Sequence, residues 1–285
     1  MECNWASFLR VLPPRLRQGV ANFEKQGLRE LRLRLGSGAE LVLEDRFWTL
    51  PGMVTREELQ YVLNAASDYS PWAASSSAQG YLTIEGGHRI GLCGQVIRKQ
   101  GCVTGFSVLS SLCIRLARDL SVQKEKDFSQ YGSILILGAP GWGKTTLLRC
   151  VARNLAESRM VAVVDERGEL FPSGFRQGKH MDVLSGCPKA TGIEMVLRSM
   201  GPDYIALDEI TAQADTQTLI QAAGCGVGLL ATAHAADPED LLRRPCYRPL
   251  AESRVFQTLL ILDRKKTYRR ERMEKWITNG LARSW

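Results

Sequence analysis

The stretch SILILGAPGWGKTT, residues 133–146, decides the fold. Ile134–Leu137 is an uninterrupted apolar run of strand length, and Gly138–Thr145 is a complete G-x-x-x-x-G-K-T. Beyond it, TTLLRCVARNLA has the length and spacing of a helix, so the glycine-rich turn sits between a strand and a helix start. Glycines let backbone N–H groups point inward around phosphate, and the helix N-terminus adds positive potential. On this reading Gly138, Ala139, Pro140, Gly141, Trp142, Gly143, Lys144, Thr145 and Thr146 form a nucleotide-binding loop. Lys144 reaches the β- and γ-phosphate oxygens, and the Thr145 hydroxyl binds Mg²⁺. Trp142 is bulky for such a loop and either closes one side of the pocket or packs outward.

Further apolar runs alternate with helix-length segments: MVAVVDE, YIALDE, VGLLATAH and VFQTLLILD. Strands buried on both faces point to a parallel sheet with crossover helices, an α/β domain. Such strands gather their C-terminal ends at one edge, where the loop also lies. Tyr204–Leu207 ends there at Asp208 and Glu209, the pattern in which the first carboxylate holds Mg²⁺ and the second polarises the attacking water. VAVVDERGEL brings Asp165 and Glu166 to the same edge, and GLLATAH brings Thr232 and His234, placed to sense a γ-phosphate.

Upstream the texture differs. LRELRLRL, from Leu28, alternates apolar and charged residues and turns at GSG into AELVLE, a hairpin. Thr55 caps a helix whose Leu59, Val62, Leu63 and Ala66 share one face. YLTIEGGHRIGLCGQVI turns at Gly86-Gly87, and SSLCIRLARDL continues in a β-rich or mixed pattern. The polar segment SVQKEKDFSQYGS suits a linker. The expected domains are therefore residues 1–128, a smaller mixed α+β unit; 129–263, a P-loop unit of RecA-like type; and 264–285, a basic tail.

Composition fits that division. At 285 residues the chain makes one large domain or two ordinary ones, and 45% hydrophobic with 24% charged residues excludes disordered and collagen-like classes. No apolar run approaches the ~18 residues of a membrane span. The start, MECNWASFLR, lacks a signal-peptide pattern, so a cytoplasmic location is expected. Eight cysteines without a C-x-x-C pair read as reduced thiols filling apolar space, and the three histidines lack zinc-site spacing. The net charge of +7 belongs to the ends: from Arg254 onward nine basic residues face three acidic ones, while residues 133–253 hold twelve against fourteen. A basic end suits anionic lipid, nucleic acid, an acidic partner or plain solvent.

Taken in order, the P-loop, VVDER, RSMGPDYIALDEI and ATAH resemble the Walker A, aspartate-box, Walker B and histidine-box elements of type II and type IV secretion and pilus motor ATPases. LRLRLGSGAEL, EGGHRIGLCGQVI, GAPGWGKTTLLR and DVLSGCPKATGIEMVLRSMGPD are more closely similar to the stage III sporulation AA family, over about Leu28–Asp263. The resemblance implies a homo-hexameric cytoplasmic ATPase of an endospore former, at the base of a mother-cell-to-forespore channel. Its partners would be membrane-embedded channel or secretion components, with peripheral membrane association. It gives Lys144 and Thr145 phosphate and Mg²⁺, makes Asp165 and Glu166 the aspartate box, and Asp208 and Glu209 the Walker B. His234 becomes the histidine box, and Arg115 and Arg118 arginines that reach nucleotide from the first domain, each such contact worth roughly 10³–10⁵ in rate. Two departures stand out. Thr211-Ala212 replaces an expected small residue and arginine, and Ala235 follows His234 in place of glycine.

Two other functions fit parts of the sequence. Ile90–Ile97, IGLCGQVI, matches the GxxG loop of a KH nucleic-acid module, although its strand-like surroundings count against nucleic acid as a partner. A nucleotide-binding platform with little turnover keeps the same fold, and the intact Glu209 argues against it.

Overall fold

The computed structural model describes residues 4–21, 23, 27–43, 46–67, 80–119 and 127–276. The first half of the expected linker, residues 121–126, and the end of the expected tail, 277–285, lie outside them. The chain divides into two compact units: Met1–Asp119 with Pro172–Phe175, and Leu120–Phe171 with Arg176–Trp285. Phe128, where the sequence reading places the boundary, is buried in the second unit's core.

In the first unit, β1 (Glu30–Arg34), β2 (Gly38–Val42), β3 (Phe47–Met53), β4 (Tyr81–Thr83), β5 (Arg89–Lys99) and β6 (Cys102–Arg115) form an antiparallel sheet in the order β3-β2-β1-β6-β5-β4. The alternation seen in the sequence sets its two faces. Leu31, Leu33, Leu41, Ile90, Leu112 and Ile114 are buried in one core with residues of α1 (Trp5–Arg10), α2 (Pro14–Ala21) and α3 (Arg56–Ala66). The intervening residues carry ion pairs, Arg32–Glu30 at 2.8 Å and Arg115–Glu30 at 3.2 Å among them. Thr55 caps α3 in a reciprocal box with Glu58. Gly86 and Gly87, with φ of 84° and 74°, make the tight turn before β5. Ile90–Ile97 lies within β5, so it is strand and not the helix-joining loop of a KH module.

His88 is the polar centre of this core, 0% exposed. Its Nδ1 accepts from the Ala117 N–H at 3.0 Å, which leaves Nε2–H to donate to the Asn4 carbonyl at 2.8 Å. The neutral ring thus ties the start of α1 to the chain after β6.

The second unit holds β7 (Ile134–Leu137), β8 (Val161–Asp165), β9 (Met181–Ser185), β10 (Tyr204–Leu207), β11 (Gly228–Ala233), β12 (Thr258–Leu262) and β13 (Tyr268–Arg272), in the order β13-β12-β7-β11-β10-β8-β9. All pairs are parallel except β12 with β13. Every residue of β7, β8, β10 and β12 is buried, because both faces are covered. One face packs with α4 (Lys144–Leu155), through Leu148, Val151 and Leu155. The other packs with α5 (Lys189–Ser199) and α6 (Gln213–Gly224), through Ile193, Val196 and Leu219. From β7 the chain crosses to β8, then returns through β10 and β11, so these two strands fill the gap beside β7.

Two expectations change. Part of the basic run assigned to a tail is β13, an edge strand whose charged residues suit an uncovered border. The seven described cysteines are free, as expected, yet Cys93, Cys102 and Cys225 are exposed and fill no apolar space.

Burial holds the His88 imidazole below its ordinary value of 6.5, against the opposing bond to Asn4. Its contribution to stability is therefore complete above that pH and is lost as pH falls below it, where the unfolded chain binds the proton more readily. The urea midpoint of the wild type should fall between pH 7.5 and 5.5 by more than that of His88→Gln, whose amide keeps a donor and an acceptor but does not titrate. Equal pH dependence in the two proteins would show that the ring makes no such contribution.

Candidate nucleotide site

The loop between β7 and α4 adopts the conformation its glycines permit. Gly141 and Gly143 have φ of 79° and 100°, the left-handed region that a side chain disfavours, and Gly143 caps α4. Trp142 packs against the core beside α4. Lys144 is buried, and its Nζ donates to the Ala139 carbonyl at 3.2 Å. Burial pulls its ammonium below the ordinary lysine value, while Glu209 and Asp208 pull the other way.

At the end of β10, Asp208 gathers three donors. Thr145 Oγ1 donates to its Oδ2 at 2.9 Å, and Thr232 Oγ1 to its Oδ1 at 2.8 Å. The Glu209 N–H donates both to Asp208 Oδ1, at 3.0 Å, and to Thr232 Oγ1, at 2.9 Å. The carboxylate of Glu209 is left to face His234, whose Nε2 lies 3.2 Å from Oε2. Thr145 and Asp208 thus present hard oxygens side by side, as Mg²⁺ requires. Among the described residues no three His, Cys, Asp or Glu side chains group to hold an ion. Mg²⁺ commonly takes one or two protein oxygens and completes its shell with water and phosphate.

The other acidic pair divides in the same way. Asp165 is buried, and its carboxylate accepts from the amides of Glu169, Leu170 and Phe171 at 3.0, 2.9 and 2.8 Å. Burial raises its proton affinity against those bonds. From α4, Arg149 donates to the Leu170 carbonyl at 2.6 Å, so the turn is held from both sides. Glu166 points instead to Lys189, the first residue of α5, with Nζ 2.6 Å from Oε2. Thr145, Glu166, Lys189, Asp208 and Glu209 line one cavity of about 150 Å³. A larger cavity, about 680 Å³, opens at the N-terminal ends of the strands beside Gly132, Asp203 and Gly228, away from every motif residue.

The structure therefore brings Lys144, Thr145, Glu166, Asp208, Glu209 and His234 to the C-terminal edge of one sheet. Asp165 is there too, spent on backbone. Arg115 and Arg118 belong to the first unit, where Arg115 pairs with Glu30 and Arg118 donates to the Leu28 carbonyl at 2.8 Å. Both departures have local explanations. The amides of Thr211 and Ala212 donate to Asp215 Oδ2, capping α6, and Ala235 is absent from the described non-glycine residues of positive φ, so no glycine is needed.

Three residues escape the motif reading. Lys189 and Arg149 bear no sequence signal that links them to the acids. Tyr247 is buried, donates to the Ile210 carbonyl at 2.9 Å and accepts from the His234 N–H at 3.3 Å, joining the ends of β10 and β11. Burial raises its phenol.

Comparison with known proteins places this arrangement. The family model described as sporulation stage III, protein AA, matches residues 6–272. Stage III sporulation protein AA of Bacillus subtilis is 35% identical over 276 residues, covering 90% of each chain. Among solved structures, the pilus retraction motor PilT with bound ADP superposes with a TM-score of 0.64 at 13% identity, over 97% of this chain and 88% of that one. The Legionella pneumophila ATPase DotB gives 0.60 at 15% identity, over 96% and 90%. These two confirm the expected fold, a P-loop α/β unit preceded by a smaller mixed one.

The Thr232 hydroxyl is buried between two partners, and Thr232→Val removes it at nearly constant volume. We expect the variant to lose about 1–3 kcal/mol of unfolding free energy in urea titrations, the cost of unsatisfied buried groups. A change within error would show that water replaces the hydroxyl.

Proposed function

The chain belongs to the stage III sporulation protein AA family, and from that premise we propose that it is an ATPase, cleaving ATP to ADP and phosphate with Mg²⁺. The supporting observation is the joint placement of a P-loop lysine, the Thr145–Asp208 oxygen pair and the Glu209–His234 pair at one sheet edge. In this reading the amides of the loop and Lys144 bind the phosphates. Thr145 and Asp208 hold Mg²⁺, which when bound neutralises charge on the β- and γ-phosphate oxygens. Glu209 orients the attacking water and takes its proton as the bond from the γ-phosphorus to the bridging oxygen breaks. His234 holds the Glu209 carboxylate and reports the γ-phosphate, and Glu166 faces the same cavity. Asp165 contributes through the turn it staples.

The biological setting follows the family: a homo-hexamer at the cytoplasmic face of a membrane, docked on channel components, powering assembly of or transport through a mother-cell-to-forespore channel. Among the described residues no helix is long and apolar enough to cross a membrane. The attachment in this proposal is peripheral. The arginine role belongs to the same proposal. Arg115 is 66% exposed and paired with Glu30, and would exchange that carboxylate for phosphate as the ring turns over. Arg115→Ala should then lower kcat about 10³-fold with ATP affinity retained. Wild-type turnover in this variant would remove Arg115 from the site.

The decisive measurement is Mg²⁺-dependent phosphate release against protein concentration. Specific activity should rise with concentration and fall at least ~10²-fold in Glu209→Gln and Lys144→Ala. ATP binding without turnover under all conditions overturns hydrolysis in favour of a platform. Strong stimulation by added nucleic acid transfers the protein to the nucleic-acid class.

A further inference from the structure

Lys189 is an expensive residue where it stands. It is 8% exposed, and it opens α5, where the helix dipole disfavours a cation. Burying an ammonium costs several kcal/mol before any partner is counted. Among the described residues its one ion pair is with Glu166, at 2.6 Å. A buried pair of this kind is commonly matched or exceeded in stability by apolar residues of similar volume, so packing alone gives no reason for it. What the pair does is geometric. Glu166 is 37% exposed at the cavity wall, and without Lys189 its carboxylate would be free to rotate into solvent. With it, the carboxylate is fixed on the cavity that Thr145, Asp208 and Glu209 also line.

We propose that Lys189 is a positioning residue of the hydrolytic site: its ammonium holds the Glu166 carboxylate in the cavity beside Glu209, so that two carboxylates address the water that attacks the γ-phosphate. This rests on the ATPase reading above. In this proposal Lys189 keeps its ion pair with Glu166 and makes no contact with phosphate. It therefore differs in kind from Lys144, whose place is on the nucleotide.

The test uses the full chain and the variants Lys189→Met, Lys189→Arg, Glu166→Gln and the double variant Lys189→Met/Glu166→Gln, with Lys144→Ala as the phosphate-binding control. Steady-state ATP hydrolysis, equilibrium binding of a fluorescent ADP analogue and thermal melting are read for each. We expect Lys189→Met to melt near the wild type, to bind the analogue within about 3-fold of it, and to lose kcat about 10²-fold, the scale of a misplaced reacting group. Arg should recover much of the loss, and the double variant should be no slower than Glu166→Gln, since two residues acting as a unit are not additive.

Four results overturn the proposal: an unchanged kcat in Lys189→Met; a raised KM with kcat intact, which makes Lys189 a phosphate contact; effects that multiply in the double variant; or failure of both Lys189→Met and Lys189→Arg to melt cooperatively, which makes the pair a folding element. Failure of the underlying reading looks different. There the wild type itself releases no phosphate while the ADP analogue binds, and the positioning role falls with it.

Discussion

The carboxylate of Asp208 is the point on which the second unit's edge is assembled. It accepts from a hydroxyl on the P-loop helix, from a hydroxyl on β11 and from the amide of its own neighbour. Two segments distant in sequence are thereby fixed to one group, with charge-assisted bonds that are individually stronger than neutral ones. The sheet makes this possible. Leu207 pairs with Ala231 on one side and Val164 on the other, so the strand ends lie level and the groups beyond them meet without distortion. Had the register of β10 slipped by one residue, Asp208 would have pointed into an apolar layer.

A division of labour recurs at both acidic pairs. Asp165 ends one buried strand and Asp208 follows another, and each accepts from protein donors: backbone amides for one, hydroxyls and an amide for the other. The next residue, Glu166 or Glu209, carries its carboxylate on a longer stem into the cavity and meets a single cationic or titratable partner, Lys189 or His234. Both short acids line the cavity as well, and Asp208 does so beside Thr145. Buried polar groups must be bonded, and the short side chain keeps those bonds close to the strand end.

That logic explains what could be read from the sequence. The strands β7, β8, β10, β11 and β12 announce themselves as apolar runs because both faces are covered, and the P-loop, the two acidic pairs and His234 are attached to them covalently. β9 and β13 carry no such run. β9 is half exposed at one border, and β13 is Tyr-Arg-Arg-Glu-Arg at the other, a composition that reads as a tail. Lys189, Arg149 and Tyr247 act through single bonds across the tertiary fold, on helices and loops whose local pattern is decided by packing. No periodicity records such a bond. His88 is the same case in the first unit, a polar residue after a Gly-Gly turn whose partners lie 84 and 29 positions away.

The two units obey different constraints, and the difference bears on which groups are free to change partners. In the second unit the central strands β7, β8, β10 and β12 are buried throughout, so apart from Asp165, the last residue of β8, they carry no charge along their length, and the carboxylates gather at their ends. In the first, Glu30, Arg32, Arg34, Glu40 and Arg115 lie along the strands in pairs whose arginines are 41–66% exposed. Arg115 is 66% exposed, whereas Glu30 is 17% exposed and also pairs with Arg32, so releasing Arg115 leaves that carboxylate with a partner. Arg118, by contrast, is bonded to the Leu28 carbonyl and would leave a backbone acceptor behind. Of the two arginines, Arg115 is therefore the one whose recorded bond within the first unit is the easier to exchange.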